Sequence, residues 1–278
     1  MKIGIVGLGL MGASYAARLK ERGQTIYGFA RRQETIDKAL EYNIVDKGTI
    51  HMEDGLLHEC EIIILGLYPT ALKPWIEQNQ QYLQDGCVIM DISGVKSNII
   101  EPIEQIVDSR LSFVSTHPMC GRESQGIEHY DPTIFDGANY IVIETNSSNP
   151  KDVQLAKAIG HLLGCKNIEV LDIENHDRMI GFLSQLTHVI AVSLMNTHEN
   201  EQFVKYTGDS FRDLTRIAAI NEDMWTELFL LNKEILLDET NQFIDTITHF
   251  RDALKSEDSQ EMKRLFIQST QRRQKFNK

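Results

Sequence analysis

Three glycines within the first twelve residues restrict the folds open to this chain more than any other feature. In "MKIGIVGLGLMGASYAARLKERG", Gly7, Gly9 and Gly12 fall in GxGxxG spacing, directly after the apolar run 3–6 and directly before a helical pattern over 13–21. Lys2 ahead of an apolar run, with small residues behind it, also has the outline of a secretory signal, but that outline gives no reason for the glycines. In a strand–turn–helix they permit a tight turn, close backbone approach to a pyrophosphate and tight helix–strand packing, with the helix N-terminus facing the anion. The stretch is therefore read as a dinucleotide-binding turn, with Gly7, Gly9, Leu10, Met11 and Gly12 at the phosphates.

The next strand bears on which dinucleotide binds. Apolar residues run over 26–29, and an NAD site would carry an acidic residue at the strand end to hold the ribose 2′-hydroxyl. That place is Ala30, followed by Arg31 and Arg32. A guanidinium there can pair with a 2′-phosphate, so NADP is expected over NAD, with NAD as the alternative. Two solvated arginines at a strand exit would look the same in sequence.

Further on, the pattern alternates as in a doubly wound α/β sheet. A strand is expected over 62–67 ending in "GLYPT", a helix over 74–82, a strand over 88–91, a helix over 98–107, and a strand over 111–115 whose exit carries His117. "NYIVIET", a helix over 152–163 and "NIEVLD" complete this half. Ligands of open parallel sheets sit at the carboxyl ends of the strands. On this reading the glycine turn, Tyr68 and Pro69, residues 93–96 and residues 117–123 share one edge. That convergence raises His117 above a decorative strand cap.

From Ile173 onward helical spacing takes over, with Met179, Phe182, Leu183 and Leu186 at i, i+3, i+4 and i+7. Two domains follow: a Rossmann-type nucleotide-binding domain over 1–172 and an all-helical domain over 173–278. The second is marginal for an independent core, so a homodimer that buries more apolar area is expected. The net charge of −12 in 278 residues argues against a non-specific nucleic-acid binder. Four scattered cysteines without a CxxC pair suggest neither a disulfide framework nor a metal site, and fit a reducing cytoplasm. Neither a nucleic-acid nor a membrane partner is expected.

Taken together, "GLGLMGAS", "THPMCGRESQG", "ENHDRMIGFLSQLTH" and "GDSFRDLTRIAAINEDMWTELFLLNK" resemble, in order and over nearly the whole chain, the prephenate/arogenate dehydrogenase family of tyrosine biosynthesis. The resemblance implies NAD(P)-dependent oxidative decarboxylation of prephenate to 4-hydroxyphenylpyruvate, or of arogenate to tyrosine, on a nucleotide-binding domain followed by a helical dimerisation domain. By motif it implies His117 as the catalytic histidine on the substrate's ring hydroxyl, Arg216 on a substrate carboxylate and His188 as a second substrate histidine. It also implies Glu123 near the side-chain end of the substrate, and Asp213 and Trp225 near the mouth of the pocket. Chemistry agrees for His117: hydride loss from a carbinol carbon accompanies loss of its hydroxyl proton, and histidine starts near a pKa of about 6.5.

Three positions depart from the family pattern. The family serine that supports the catalytic histidine stands where this chain has Gly94, so Ser93, one residue earlier, or a water is expected to stand in. Thr187 replaces a proline before the second histidine. Arg122 adds a positive charge that can pair with Glu123 or meet a substrate carboxylate. The presence of Glu123 and His188 leans toward prephenate over arogenate. Two further readings remain. A β-hydroxyacid-type NADP-dependent dehydrogenase would want a lysine early in the helical domain, and 177–195 contains none. A non-catalytic NADP-binding sensor would bind cofactor without turnover.

Overall fold

In the computed structural model of the chain, which describes residues 1–122, 124–199 and 201–276, the opening apolar run is β1 (Lys2–Val6) and the glycine turn leads into α1 (Leu10–Glu21). There follow β2 (Thr25–Phe29), α2 (Gln33–Glu41), β3 (Lys47–Thr49), β4 (Ile62–Leu65), α3 (Pro69–Asn79), β5 (Val88–Asp91) and α4 (Ile100–Glu104). Then come β6 (Ser112–Pro118), β7 (Asn139–Ile143), α5 (Pro150–Leu163) and β8 (Asn167–Leu171). The eight strands form one sheet in the order β3-β2-β1-β4-β5-β6-β7-β8, so the winding reverses between β1 and β4. A crevice for a ligand opens at the carboxyl ends of those two strands.

The central strands are apolar on both faces, as strands covered by helices on both sides must be. Ile3, Ile5, Ile62, Ile64 and Met90 join a core with α1 and α5, while Val6, Ile63, Leu65 and Ile89 join a second core with Leu72 and Ile76 of α3. Each such side chain contributes about 1.5–3 kcal/mol on burial. The alternation of faces therefore holds the strand register, and with it the loops at the carboxyl edge.

The structure corrects the sequence reading in four places. The helix expected over 74–82 begins instead at Pro69, which occupies the first helical turn where its missing N–H costs nothing, and Pro74 lies inside the helix. The helix expected from residue 98 begins at Ile100, because Asn98 takes a left-handed φ of 61° that no right-handed helix accommodates. The sheet is not wholly parallel, since β7 returns antiparallel to β6. That return lengthens β6: pairing with β5 stops at Ser115, whereas pairing with β7 continues through Thr116, His117 and Pro118. His117 thus sits within a strand rather than in the loop beyond it.

Past β8 the Asp172 side chain caps α6 (Ile173–Ile180) by accepting from Asn175 N at 2.7 Å. A π turn (Gly181–Gln185) joins α6 to α7 (Leu186–Met195) without a break. α8 (Asp209–Thr215), a 3-10 turn (Arg216–Ala218), α9 (Glu222–Leu231), α10 (Lys233–Lys255) and α11 (Ser259–Gln274) complete the chain. By length and composition the stretch Ile173–Met195 is apolar enough to cross a membrane. Its buried polar residues are bonded inside the protein: Asn232 donates to Gln185 Oε1 at 2.7 Å and to the Asp177 carbonyl at 3.1 Å. The two halves also meet at α3, where Thr70 N donates to Glu227 of α9 at 2.7 Å.

Candidate active site

The three glycines of the turn are required for different reasons. Gly7 has a φ of +87°, and a Cβ there would lie 2.5 Å from the Gly66 carbonyl oxygen at the exit of β4. A Cβ on Gly12 would come within 2.0 Å of the Gly7 carbonyl oxygen, so helix and strand could not approach as they do. A Cβ on Gly9 would meet nothing within 4 Å. Gly9 is the N-cap of α1, no side chain caps the first turn, and no acidic residue lies in it. Open N–H groups and the positive end of a helix dipole thus face open space, an arrangement that fits a pyrophosphate. Leu10 is buried and Met11 half-buried, which leaves their backbone as the polar part of the turn.

At the second strand, Ala30 is buried and its N–H donates to the Thr49 carbonyl, while Arg31 and Arg32 are exposed. Tyr68, the exposed N-cap of α3, accepts a hydrogen bond from Asn221 Nδ2 at 3.3 Å, and Pro69 behind it is buried. Tyr68 therefore bridges the nucleotide edge and the start of α9.

His117 is held differently from the sequence expectation. Its Nδ1 lies 2.9 Å from His176 Nε2, and His176 Nδ1 lies 2.7 Å from Asp177 Oδ1. The Asp177 carboxylate also accepts from Lys96 N at 3.0 Å and Ser97 N at 2.6 Å. Ser93, expected to support His117, is instead bonded to Asp91 Oδ2, to the Val95 carbonyl at 3.1 Å and to Lys96 Nζ at 3.3 Å. The cause is Lys96. Its ammonium is wholly buried and must be satisfied, which it is by Asp91 Oδ2 at 2.9 Å, the Thr116 carbonyl at 2.8 Å and the Ser93 hydroxyl. Ser93 is part of that cage.

Burial first, then His176 and Lys96, hold His117 well below its ordinary pKa, so the ring is neutral near pH 7. Burial also pulls His176 down, against the hydrogen bond to Asp177. For Asp177 burial pushes upward, but hydrogen bonds from His176 and Ser97 leave it below the ordinary carboxylate value. His117 keeps part of its surface exposed. A Cβ on Gly94 would lie 3.8 Å from His117 Nε2 and 3.7 Å from Leu228 of α9, so the glycine puts no side-chain atom beside Nε2.

α9 carries the site into the helical half. One turn before Leu228, Trp225 stacks on His188 of α7, with ring centroids 3.7 Å apart. His188 Nδ1–H donates to the Ser184 carbonyl at 2.9 Å, which fixes that ring's orientation. Arg216, exposed, opens the 3-10 turn that packs against α7, and Asp213 is exposed on α8 just before it. Arg122 pairs with Asp131 Oδ2 at 2.5 Å, and Glu123 lies outside the described residues. The residue that sequence reasoning missed is His176. It stood inside the quoted "ENHDRMIGFLSQLTH", and an adjacent His–Asp pair entering an apolar helix was its signal.

Comparisons with known proteins agree over both halves. The family model described as prephenate dehydrogenase, nucleotide-binding domain, matches residues 15–169, and that described as prephenate dehydrogenase, dimerization domain, matches residues 172–268. A prephenate dehydrogenase of Bacillus subtilis is 27% identical over 94% of this chain and 72% of its own length. Among solved structures, prephenate dehydrogenase of Aquifex aeolicus in complex with hydroxyphenyl propionate and NAD+ superposes with a TM-score of 0.91 at 27% identity, covering 100% of this chain and 98% of that one. Synechocystis arogenate dehydrogenase superposes with a TM-score of 0.84 at 27% identity, over 99% and 100% of the two chains.

Proposed function

The chain belongs to the prephenate dehydrogenase family, and on that premise we infer that it is an oxidoreductase that converts prephenate to 4-hydroxyphenylpyruvate by oxidative decarboxylation, a step of tyrosine biosynthesis. The observation that carries the reading is a partly exposed, neutral His117 whose Nε2 lies beside Gly94, on the sheet that also carries the glycine turn. A bound nicotinamide dinucleotide supplies the hydride acceptor. His117 Nε2 takes the proton of the ring hydroxyl as the carbinol carbon is oxidised. Loss of carbon dioxide then restores an aromatic ring. Arg216 pairs with a substrate carboxylate and fixes orientation. His188, held against Trp225, is assigned to the substrate, Glu123 to the substrate's side-chain end, Asp213 and Trp225 to the pocket mouth, and Arg122 to a substrate carboxylate. Ser93 serves by holding Lys96 against Asp91 beneath His117.

Arogenate is the second substrate to test, because an arogenate dehydrogenase shares the fold so closely. Purified protein supplied with prephenate or arogenate, and with NADP or NAD, is expected to reduce the nicotinamide fastest with prephenate, followed by its near-ultraviolet absorbance. Absence of reduction in all four mixtures, with cofactor binding intact, would instead support a sensor.

For the cofactor, NADP is proposed over NAD on the exposed Arg31 and Arg32 and the absent carboxylate at Ala30. The Gly7, Gly9, Leu10, Met11 and Gly12 turn, with Tyr68 and Pro69, completes that site. Ala30→Asp is expected to shift the ratio of kcat/KM values toward NAD by about tenfold, or about 1.4 kcal/mol, through repulsion of the 2′-phosphate. An unmoved ratio would remove the second-strand reasoning. Arg216→Ala is expected to raise KM for the substrate with a loss of about 1.5–3 kcal/mol, the range for a hydrogen bond to a charged group. Unchanged KM and kcat would rule out the carboxylate role.

The domains are proposed to divide at residues 1–172 and 173–278, with a homodimer formed through the helical part. Phe182 and Leu183 on the π turn and Ile244 and Ile247 on α10 are exposed in the single chain, and a second copy would cover such a surface. Analytical ultracentrifugation at micromolar concentration is expected to give twice the chain mass, and a monomer mass would refute the dimer. The proposed location is cytoplasmic, with the small-molecule substrate and a second copy of the chain as partners.

A further inference from the structure

We propose that His176 and Asp177 are positioning residues that fix His117 in its Nδ1–H tautomer and so leave Nε2 as the lone pair that receives the substrate proton. The proposal rests on the reading of His117 as the base. Asp177 can only accept hydrogen bonds, and with two backbone N–H groups on it, from Lys96 and Ser97, the Nδ1 of His176 at 2.7 Å must be the third donor. His176 is buried and uncharged, so its Nε2 then has no proton. Across 2.9 Å that bare nitrogen needs a donor, and among the described residues His117 Nδ1 is the group bonded to it. A neutral His117 with its proton on Nδ1 has none on Nε2, the nitrogen beside Gly94. Each contact removes one of two tautomers, and the last assignment is made at the reacting atom.

The relay also accepts the charge that the reaction creates. When the substrate O–H bond breaks and an Nε2–H bond forms, His117 becomes an imidazolium whose Nδ1–H still donates to His176. No proton needs to cross to His176. The ionisable groups around His117 are His176 and Asp177 from α6, Lys96 from the loop after β5 and Asp91 at the end of β5. Lys96 opposes the new cation but is paired with Asp91, while Asp177 favours it.

The decisive variant is Asp177→Asn. The shortest backbone contact is from Ser97 N to Oδ2, so the amide oxygen stays there and the amide N–H turns to His176. His176 Nδ1 must then accept, its Nε2 donate, His117 Nδ1 accept, and His117 Nε2 carry the proton. Long-range nitrogen–proton NMR of the histidine side chains in the free protein reads this directly. Wild type is expected to show His117 protonated on Nδ1, and Asp177→Asn to show it protonated on Nε2. In the same variant kcat is expected to fall about 10³- to 10⁴-fold, as when the carboxylate behind a catalytic histidine becomes an amide. KM and the cofactor dissociation constant should stay near wild type. A wild-type spectrum with His117 protonated on Nε2 would overturn the relay, as would an Asp177→Asn variant with wild-type turnover. If wild type reduces no nicotinamide with either substrate, the functional reading fails, and the wild-type spectrum alone decides the tautomer.

Discussion

Replacing His117 by asparagine is expected to lower kcat by about 10²- to 10⁴-fold, the usual contribution of a positioned general base. The cofactor dissociation constant should scarcely move, because the glycine turn proposed to meet the phosphates lies between β1 and α1, whereas this ring is carried on β6. Asparagine keeps an amide N–H near the place of Nδ1 and so preserves the link to His176, but it has nothing at the place of Nε2. The pH profile separates loss of the base from a general fault. The folded-state pKa of His117 is depressed, so the base form persists below the ordinary value of about 6.5, and activity is lost only as pH falls through the lowered value. The variant should lack that acid limb. Steady-state kinetics across pH with a separate cofactor titration measure both quantities, and a variant as active as wild type would remove His117 from the chemistry.

How far the sequence could be read depended on whether a feature was local. The first strand, its glycines and the following helix are a local unit, and they lie where the spacing places them. The two-sided apolar strands β4 and β5 were legible for the same reason. The extension of β6 through His117 was not, because residues 116–118 are paired only with β7, more than twenty residues later in the chain and antiparallel. Pro74 misled because proline favours the first turn of a helix, a place that Pro69 already holds. Ser93 was the nearest hydroxyl to the expected position, but hydroxyls go where burial makes the largest demand, and here that demand comes from the ammonium of Lys96. His117 and His176 are 59 residues apart, and nothing in either local pattern announces their contact.

Lys96→Met is expected to destabilise the protein by about 3–5 kcal/mol, the cost of removing one partner from a buried ion pair. The side chains of Lys96 and Asp91 are both 0% exposed, and the ammonium has three partners. Methionine fills comparable volume without charge, which leaves the Asp91 carboxylate buried with only the Ser93 N–H and hydroxyl as donors to Oδ2. Oδ1 already has no hydrogen-bond partner among the described residues. Loss of this size is a large share of the roughly 5–15 kcal/mol that a folded protein has in hand. Urea unfolding should show a lowered midpoint at unchanged slope. The double variant Asp91→Asn, Lys96→Met removes both charges and should recover most of the loss, since the penalty comes from the orphaned carboxylate and not from the missing amine. A single variant within about 1 kcal/mol of wild type would mean that the pair is not charged in the fold. Lys96 is also one of the groups that hold His117 neutral, so activity that survives in the single variant should fade at a higher pH on the acid side. The buried cation is thus expected to have two separable consequences, one on the stability of the sheet edge and one on the titration of His117.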